Sequence, residues 1–419
     1  MEFTPPRGTQ DLLPPDGGRM RALYDRAAAL AQIYGYRYVE TPVFEATDVF
    51  ARTSGATSDL VSKEMYTFAD RKGRSLTLRP EGTAPVMRAW LARRQELGAP
   101  FKAYYLTRMY RYARPQAGRY REHRQFGVEL IGVAGPRADV DVIAVGEAFL
   151  RDLGLSRYRL EINSIGDELC RPAYRDALLA HLEANQVRLT DEHAGRFAES
   201  PLRVLDCKDE GCRAVAAEAP RITDHLCDPC REHFEAVLEG VREAGLQPHV
   251  VPTLVRGLDY YTRTAFEFVS EGLSSQQATL FGGGRYDGLA EALGGPPTPG
   301  IGFGMGLERV LLALAEEGIE APSERPLDCF VVAVGPPEQQ GAHALVAALR
   351  SAGVAADGAF EDRPLKAQLK LADRSGARYA AILGERERDE GTVTLRDLRD
   401  GSQEVLAPGD LAPRLQKDA

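Results

Sequence analysis

The chain contains no run of about 18 apolar residues, so no membrane-spanning helix is predicted. Its opening residues, Met1 to Gln10, lack the apolar stretch of a secretory leader, and residence in the cytoplasm is the expectation. A positive surplus is also missing. Lys and Arg number 52 against 61 Asp and Glu, a net charge of −9, which argues against indiscriminate binding of nucleic acid. Cysteine is scarce, six in 419 residues, and in a reducing compartment these read as thiols rather than disulfides. No internal repeat is visible. What remains is an ordinary globular composition, 44% hydrophobic, long enough for two or three domains.

Against that background, a few short segments carry chemistry. Val255–Glu267 brings Arg256, a glycine, Asp259 and two phenols, Tyr260 and Tyr261, together within a few positions. Gly282 to Gly288 reads as a second, glycine-rich turn with its own cation and phenol, Arg285 and Tyr286. A guanidinium neutralises phosphate with a planar fork of donors, and a tyrosine presents a flat face with one polar tip. The mixture suits a pocket for a small polar ring beside a phosphate; two surface hairpins are the plainer alternative.

Residues 101–124 hold Lys102, Arg108, Arg111, Arg114, Arg119, Arg121 and Arg124 against one acid, Glu122, with Phe101, Tyr104, Tyr105, Tyr110, Tyr112 and Tyr120 interleaved. Arginine outnumbering lysine favours phosphate recognition over a merely solvated basic face. Four of the cysteines form two close pairs, Cys207 with Cys212 and Cys227 with Cys230. Such pairs are zinc candidates, and free thiols in a helical segment are the alternative.

Along the chain, helical spacing from Met20 to Tyr34 stops at Gly35, and Tyr36 to Phe44 reads as a strand broken by Pro42. Ser75–Leu78 is a short strand, and a helix begins near Pro85. Tyr104–Tyr110 and Gln125–Ile131 form an antiparallel pair with a long polar connector. A helix over Asp139–Leu153 and a strand over Tyr158–Ile162 follow. Residues from about 170 to 245 turn helical and read as an insertion. Strands resume at Val250 and Ala265–Val269 and end in a helix near Met305–Ala315, whose entry from Gly300 to Arg309 packs glycines at 300, 302, 304 and 306. A charged linker from Glu316 to Pro326 marks the expected boundary between domains at 1–325 and 326–419. Beyond it strand and helix alternate, with Thr392–Leu398 as an edge strand, which predicts a small α/β domain.

These residues together resemble bacterial histidyl-tRNA synthetases, members of class II of the aminoacyl-tRNA synthetases. The resemblance runs nearly end to end. It rests on Arg7-Gly8-Thr9, on Thr77 to Thr83, on Arg114-Pro115-Gln116 with Gly118 to Arg121, on Gln125 to Glu129, on the two signatures above, and on Gly302 to Arg309. It implies an α+β fold: a six-stranded antiparallel catalytic sheet with helices and a helical insertion, plus a C-terminal α/β anticodon-binding domain. It further implies a homodimer acting on ATP, L-histidine and tRNA(His), with Mg²⁺ bridging phosphates and no membrane partner.

By the same resemblance, Arg111 and Arg256 are the catalytic pair, gripping the α-phosphate from two sides. Arg119 and Arg309 complete the ATP set, Arg309 on the γ-phosphate. Glu81, Gly82, Thr83 and Gln125 hold the amino end of histidine. Glu129 and Tyr261 read the imidazole, and Tyr260 and Tyr286 wall the pocket. Arg114, Gln116 and Arg121 meet the tRNA acceptor, and Arg363, Lys366, Lys370, Arg374 and Arg378 offer an anticodon face. One position departs: the family's Arg-any-Glu reads Arg111-Tyr112-Ala113 here. That change also fits a second reading, a catalytically silent relative serving as regulatory subunit of ATP phosphoribosyltransferase. The retained phosphate arginines and the full C-terminal domain oppose it.

Overall fold

The structure, a computed structural model, describes residues 3–417 apart from 56–59, 117, 196, 200, 206, 208, 256–259, 275–276, 325–326 and 362. The chain divides into two units between Ser323 and Glu324. Among the described residues no helix is long and apolar enough to cross a membrane.

Strands of the first unit are β1 (Arg37–Tyr38), β2 (Phe44–Ala46), β3 (Thr67–Ala69), β4 (Ser75–Leu78), β5 (Phe101–Tyr110), β6 (Glu122–Ile131), β7 (Tyr158–Ser164), β8 (Pro248–Val250), β9 (Thr262–Ser270), β10 (Thr279–Arg285) and β11 (Gly300–Gly306). The main sheet has the order β1-β5-β6-β11-β10-β9-β7-β8, and β2-β4-β3 form a small second sheet. Its six inner strands, β5 to β7 in that order, pair antiparallel throughout. The expected six-stranded sheet is therefore the middle of an eight-stranded mixed one, because β1 and β8 add in parallel at its edges. Those edge strands are two and three residues long, too short to leave an alternating pattern.

Alternation along β6 and β11 assigns the two faces of the sheet. Phe126, Val128 and Leu130 with Ile301, Phe303 and Met305 join the main core, where the helices Asp16–Ile33, Arg137–Asp152, Asp228–Glu243 and Leu307–Glu316 also bury apolar residues. Phe281 stacks on Phe268 at 4.4 Å and leans on Phe303 at 4.8 Å. Each such ring pair adds about 0.5–1.5 kcal/mol beyond its burial. Tyr105, Tyr260, Tyr261 and Tyr286 gather in a second cluster with Ala84 and Met87 of the helix Thr83–Ala92.

Gly282 to Arg285 is not a turn. It lies within strand β10, between β9 and β11. Arg285 is fully buried, donating through Nε to Asp139 Oδ1 at 3.3 Å and through Nη1 to Asp287 at 3.2 Å. Asp139, also fully buried, faces His233 at 3.3 Å. This network ties β10 to the helices Arg137–Asp152 and Asp228–Glu243, and it holds the Asp139 carboxyl below its ordinary range through His233 and Arg285, against the opposing effect of burial.

Between β7 and β8 the chain is helical, from Arg171–Ala184 through Glu210–Ala217 to Asp228–Glu243. Tyr174, Leu178, Leu182, Val204 and Val215 give it a core of its own. In the second unit, β12 (Cys329–Ala333), β13 (Ala356–Gly358), β14 (Tyr379–Leu383), β15 (Val393–Asp397) and β16 (Gln403–Leu406) order as β13-β12-β14-β15-β16. The expected edge strand, β15, is an interior one, since β16 covers it. Gln368 on the helix Leu365–Arg374 binds both backbone groups of Ala333, at 2.6 and 3.1 Å, which leaves Lys366, Lys370 and Arg374 exposed.

Candidate active site

A cleft of about 420 Å³ opens on the glycine-bearing face of the main sheet. Its floor follows from the period of a strand. Residues 123, 125, 127 and 129 share one face of β6, as do 302, 304 and 306 on the neighbouring β11. A Cβ at Gly302 would lie 1.9 Å from Glu129 Oε2, and one at Gly304 would lie 1.5 Å from Gln125 Nε2. Only glycine leaves room for these two polar side chains above β11. The run of glycines, expected where backbone passes close to something, makes space for side chains.

Glu129 lies beneath the cleft and is fully buried. It accepts from the Thr83 hydroxyl at 2.8 Å, from the Tyr105 hydroxyl at 3.3 Å, and from the Tyr286 hydroxyl. Burial pushes its carboxyl up to about 8, against the lowering effect of the Tyr286 and Thr83 hydroxyls. Glu81 accepts from the N–H groups of Thr83 at 2.7 Å and Ala84 at 3.0 Å, at the start of the helix Thr83–Ala92. Its carboxyl too is raised, by burial first. Gln125 Oε1 is buried without a hydrogen-bond partner. Such an orphan costs on the order of 1–3 kcal/mol, which a bound donor would recover. The rings of Tyr260 and Tyr261 lie 4.7 Å apart, and Tyr286 stands edge-on to Tyr260 at 6.0 Å.

Three guanidinium groups line the same cleft. Arg111 is aimed by its Nε bond to Pro80 O at 2.7 Å. Arg309 is fixed by Gly118 O at 3.1 Å and Thr279 O at 2.6 Å. Arg119 is half-exposed and paired with Glu64 at 2.8 Å. Burial, then the nearby charges of Arg119 and Arg111, lowers the Arg309 pKa. Burial followed by Arg111 and Arg309 drives His123 down to about 3, so this imidazole is neutral at physiological pH. Three guanidinium groups held close together form a site for a polyanion.

Of the residues singled out in the sequence, Glu81, Gly82, Thr83, Arg111, Arg119, Gln125, Tyr260, Tyr261 and Arg309 line this cleft. Glu129 and Tyr286 sit behind it. Arg114, Gln116 and Arg121 do not line it; they occupy the connector after β5. There Arg121 packs over the Tyr112 ring at 4.0 Å and donates to Ala113 O, while Arg114 is exposed. Arg256 and Asp259 lie outside the described residues. Ala113 is buried and lines the cleft.

The four paired cysteines do not form one donor set. Cys207 and Cys212 fall with His193, and Cys227 and Cys230 fall with Cys170 and Asp167. The two pairs belong to different turns of the insertion. Sequence reasoning missed Tyr105, His123, Glu267 and Thr279, which also line the cleft. His123 was legible in principle, two residues before Gln125 on the same strand face. Glu267 was not, because only the pairing of β9 with β10 sets it opposite Gly282.

Comparison with known proteins adds an independent finding. The family model described as Histidyl-tRNA synthetase matches residues 8–310, and that described as Anticodon binding domain matches residues 328–418. A histidine–tRNA ligase of Moorella thermoacetica is 50% identical over 402 residues, 96% of this chain and 95% of that protein. One from Halothermothrix orenii is 45% identical over 418 residues, spanning 100% of both chains. The crystal structure of apo S. aureus histidyl-tRNA synthetase superposes with a TM-score of 0.82 at 37% identity, covering 99% of this chain and 100% of that one.

Proposed function

Because the chain belongs to the histidyl-tRNA synthetase family, we propose that it uses ATP to join L-histidine to the 3′ end of tRNA(His) through a histidyl-adenylate. The observation that carries this reading is one cleft with a cationic end, Arg111, Arg119 and Arg309, and an end built of carboxyls and phenols with an unpaired amide oxygen.

In the first step an oxygen of the histidine carboxylate attacks the α-phosphorus of ATP and pyrophosphate leaves. Negative charge concentrates on the phosphoryl oxygens, so donors already in place lower the barrier most. We assign Arg111 to the α-phosphate and Arg309 to the γ-phosphate, with Arg119 exchanging its weak surface pair with Glu64 for a phosphate. Arg256 takes the opposite side of the α-phosphate on its sequence motif alone. Gln125 Oε1 and the carboxyl of Glu81 receive the ammonium of histidine. Glu129 accepts from one imidazole N–H, and the phenol of Tyr261 meets the other nitrogen. An analogue lacking either nitrogen leaves buried groups unpaired, which supports discrimination by up to about four orders of magnitude.

In the second step the 3′-hydroxyl of the tRNA attacks the acyl carbon and AMP departs. The connector bearing Arg114, Gln116 and Arg121 faces the acceptor end in this reading, and the Lys366, Lys370 and Arg374 face of the second unit reads the anticodon. For Mg²⁺ the donor set fits. The Glu267 carboxylate, accepting from the Thr279 hydroxyl at 2.9 Å, lies beside Arg309 and would hold the ion, which neutralises phosphate charge when bound. Glu308 is engaged instead, accepting from the backbone N–H of Arg124 at 2.9 Å and from its guanidinium at 3.2 Å. The reading carries with it a homodimer located in the cytoplasm.

Histidine-dependent exchange of pyrophosphate into ATP tests the proposal. The full chain is expected to catalyse it with histidine and with no other amino acid. Absence of exchange would instead support a silent regulatory relative.

A further inference from the structure

We propose that Asp167, Cys170, Cys227 and Cys230 form a structural site for one Zn²⁺ ion, fastening the inserted helices to the catalytic sheet. Their donor atoms all lie within 4.8 Å of one another. Cys170 Sγ is 3.3 Å from Cys227 Sγ and 3.4 Å from Asp167 Oδ1. Cys230 Sγ is 3.0 Å from Asp167 Oδ2, and Cys227 Sγ is 4.0 Å from Oδ1. A tetrahedron with Zn–S bonds of about 2.3 Å and Zn–O bonds of about 2.0 Å has edges of about 3.8 Å between sulfurs and about 3.5 Å between sulfur and oxygen. The sulfur–sulfur separation falls about half an ångström short of its edge, and the sulfur–oxygen separations, to one or the other oxygen of Asp167, lie within about half an ångström of theirs, so an ion needs adjustments of that size.

Two separate segments converge to make this set. Asp167 follows β7, Cys170 caps the helix Arg171–Ala184, and Cys227 caps the helix Asp228–Glu243 with Cys230 in its first turn. Gly166 turns the chain between β7 and Asp167 with φ of +60°, and a Cβ there would lie 2.8 Å from that of Cys170. Three thiolates and a carboxylate leave a net negative charge even around Zn²⁺. Two helix N-termini point at that charge, and Arg263 reaches Asp167 Oδ2 at 3.4 Å. Cys170 and Cys230 are buried and the other two donors half-buried, so four protein donors close the shell as in a structural rather than a catalytic site. Thiolates select a soft cation over Mg²⁺ or Ca²⁺. Binding releases the thiol protons to solvent, with no change in oxidation state.

The site also backs the histidine end of the cleft. Arg171, next to Cys170, donates to Ile165 O at 3.2 Å and to the carbonyl of Tyr261.

The test is zinc content of the purified full chain and of Cys230→Ser, Cys207→Ser and Asp167→Cys, with X-ray absorption at the zinc edge of the unaltered protein. Zinc is expected in the unaltered chain, with a shell of three sulfurs and one oxygen. One equivalent should be lost in Cys230→Ser, retained in Cys207→Ser, and retained with a four-sulfur shell in Asp167→Cys. Replacement by Co²⁺ should give thiolate-to-metal charge transfer in the unaltered protein, a readout that needs no variant to fold. Six freely titrating thiols after zinc addition would overturn the proposal. So would loss of the equivalent in Cys207→Ser but not in Cys230→Ser.

Discussion

Glu129→Gln replaces a fully buried ionisable group with a neutral one of the same shape. The carboxyl ordinarily titrates near 4.5, and burial pushes it to about 8 here. The folded chain therefore holds this proton more tightly than the unfolded chain does. Its contribution to stability is complete below 4.5 and is lost as pH rises through 8, because over that window only the unfolded state has released the proton. The loss is about 1.4 kcal/mol per pH unit, roughly 5 kcal/mol in all. Glutamine has no such dependence. Urea unfolding of both proteins from pH 5 to pH 8.5 should show the variant gaining on the unaltered chain by roughly 4 kcal/mol, the part of that loss above pH 5, with titrating groups other than Glu81 cancelling in the difference. Glu81 raises the Glu129 pKa by like-charge repulsion, so neutralising one relieves the other and adds in the same direction. Parallel pH profiles would refute the reasoning, since they would mean that Glu129 is hydrated or ionised in the native state. In the exchange assay the same variant should raise KM for histidine roughly twofold to tenfold, as expected for losing about 0.5–1.5 kcal/mol of hydrogen bonding between neutral groups.

Gly304→Ala should displace Gln125, whose Nε2 would stand 1.5 Å from the new methyl, and raise KM for histidine at least tenfold while KM for ATP holds; equal changes in both would count against Gln125 as the ammonium partner. Arg309→Lys keeps the charge but loses the fork anchored on Gly118 O and Thr279 O, so kcat/KM for ATP should fall about tenfold to a hundredfold in the exchange assay. Asp139→Asn strips the buried Arg285 guanidinium of its main counter-ion and should destabilise the first unit by about 3–5 kcal/mol in urea unfolding, away from any ligand.

Much of the site could be read from β6 alone. His123, Gln125 and Glu129 follow one another at the two-residue period of a strand, alternating with Phe126 and Val128, so one short segment announces both a polar and an apolar face. The glycine segments were harder. In sequence, Gly282-Gly283-Gly284 has the composition of a turn, and nothing local distinguishes a bend from a strand crowded by side chains on its neighbours. The answer lies in distant neighbours: Phe266, Phe303 and Tyr261 crowd Gly283 and Gly284, while Glu129 and Gln125 on β6, more than 150 residues away, crowd Gly302 and Gly304 on β11. Arg285 has the same lesson: a cation beside glycines suggests phosphate, yet Asp139 claims it once β10 and its helix are packed together.

The amino-acid sequence by itself determined the local elements, the family, and the identity of most groups around the cleft, because helix and strand periods and short motifs are written in neighbouring residues. Only the tertiary structure decided which cations share a cleft, which carboxyl is buried deeply enough to keep its proton, and that Cys170 joins Cys227 rather than Cys207 joining it. Those outcomes depend on strand pairing and helix packing between distant segments, and the energies that set them, desolvation and charge at close range, exist only once the chain has brought the groups together.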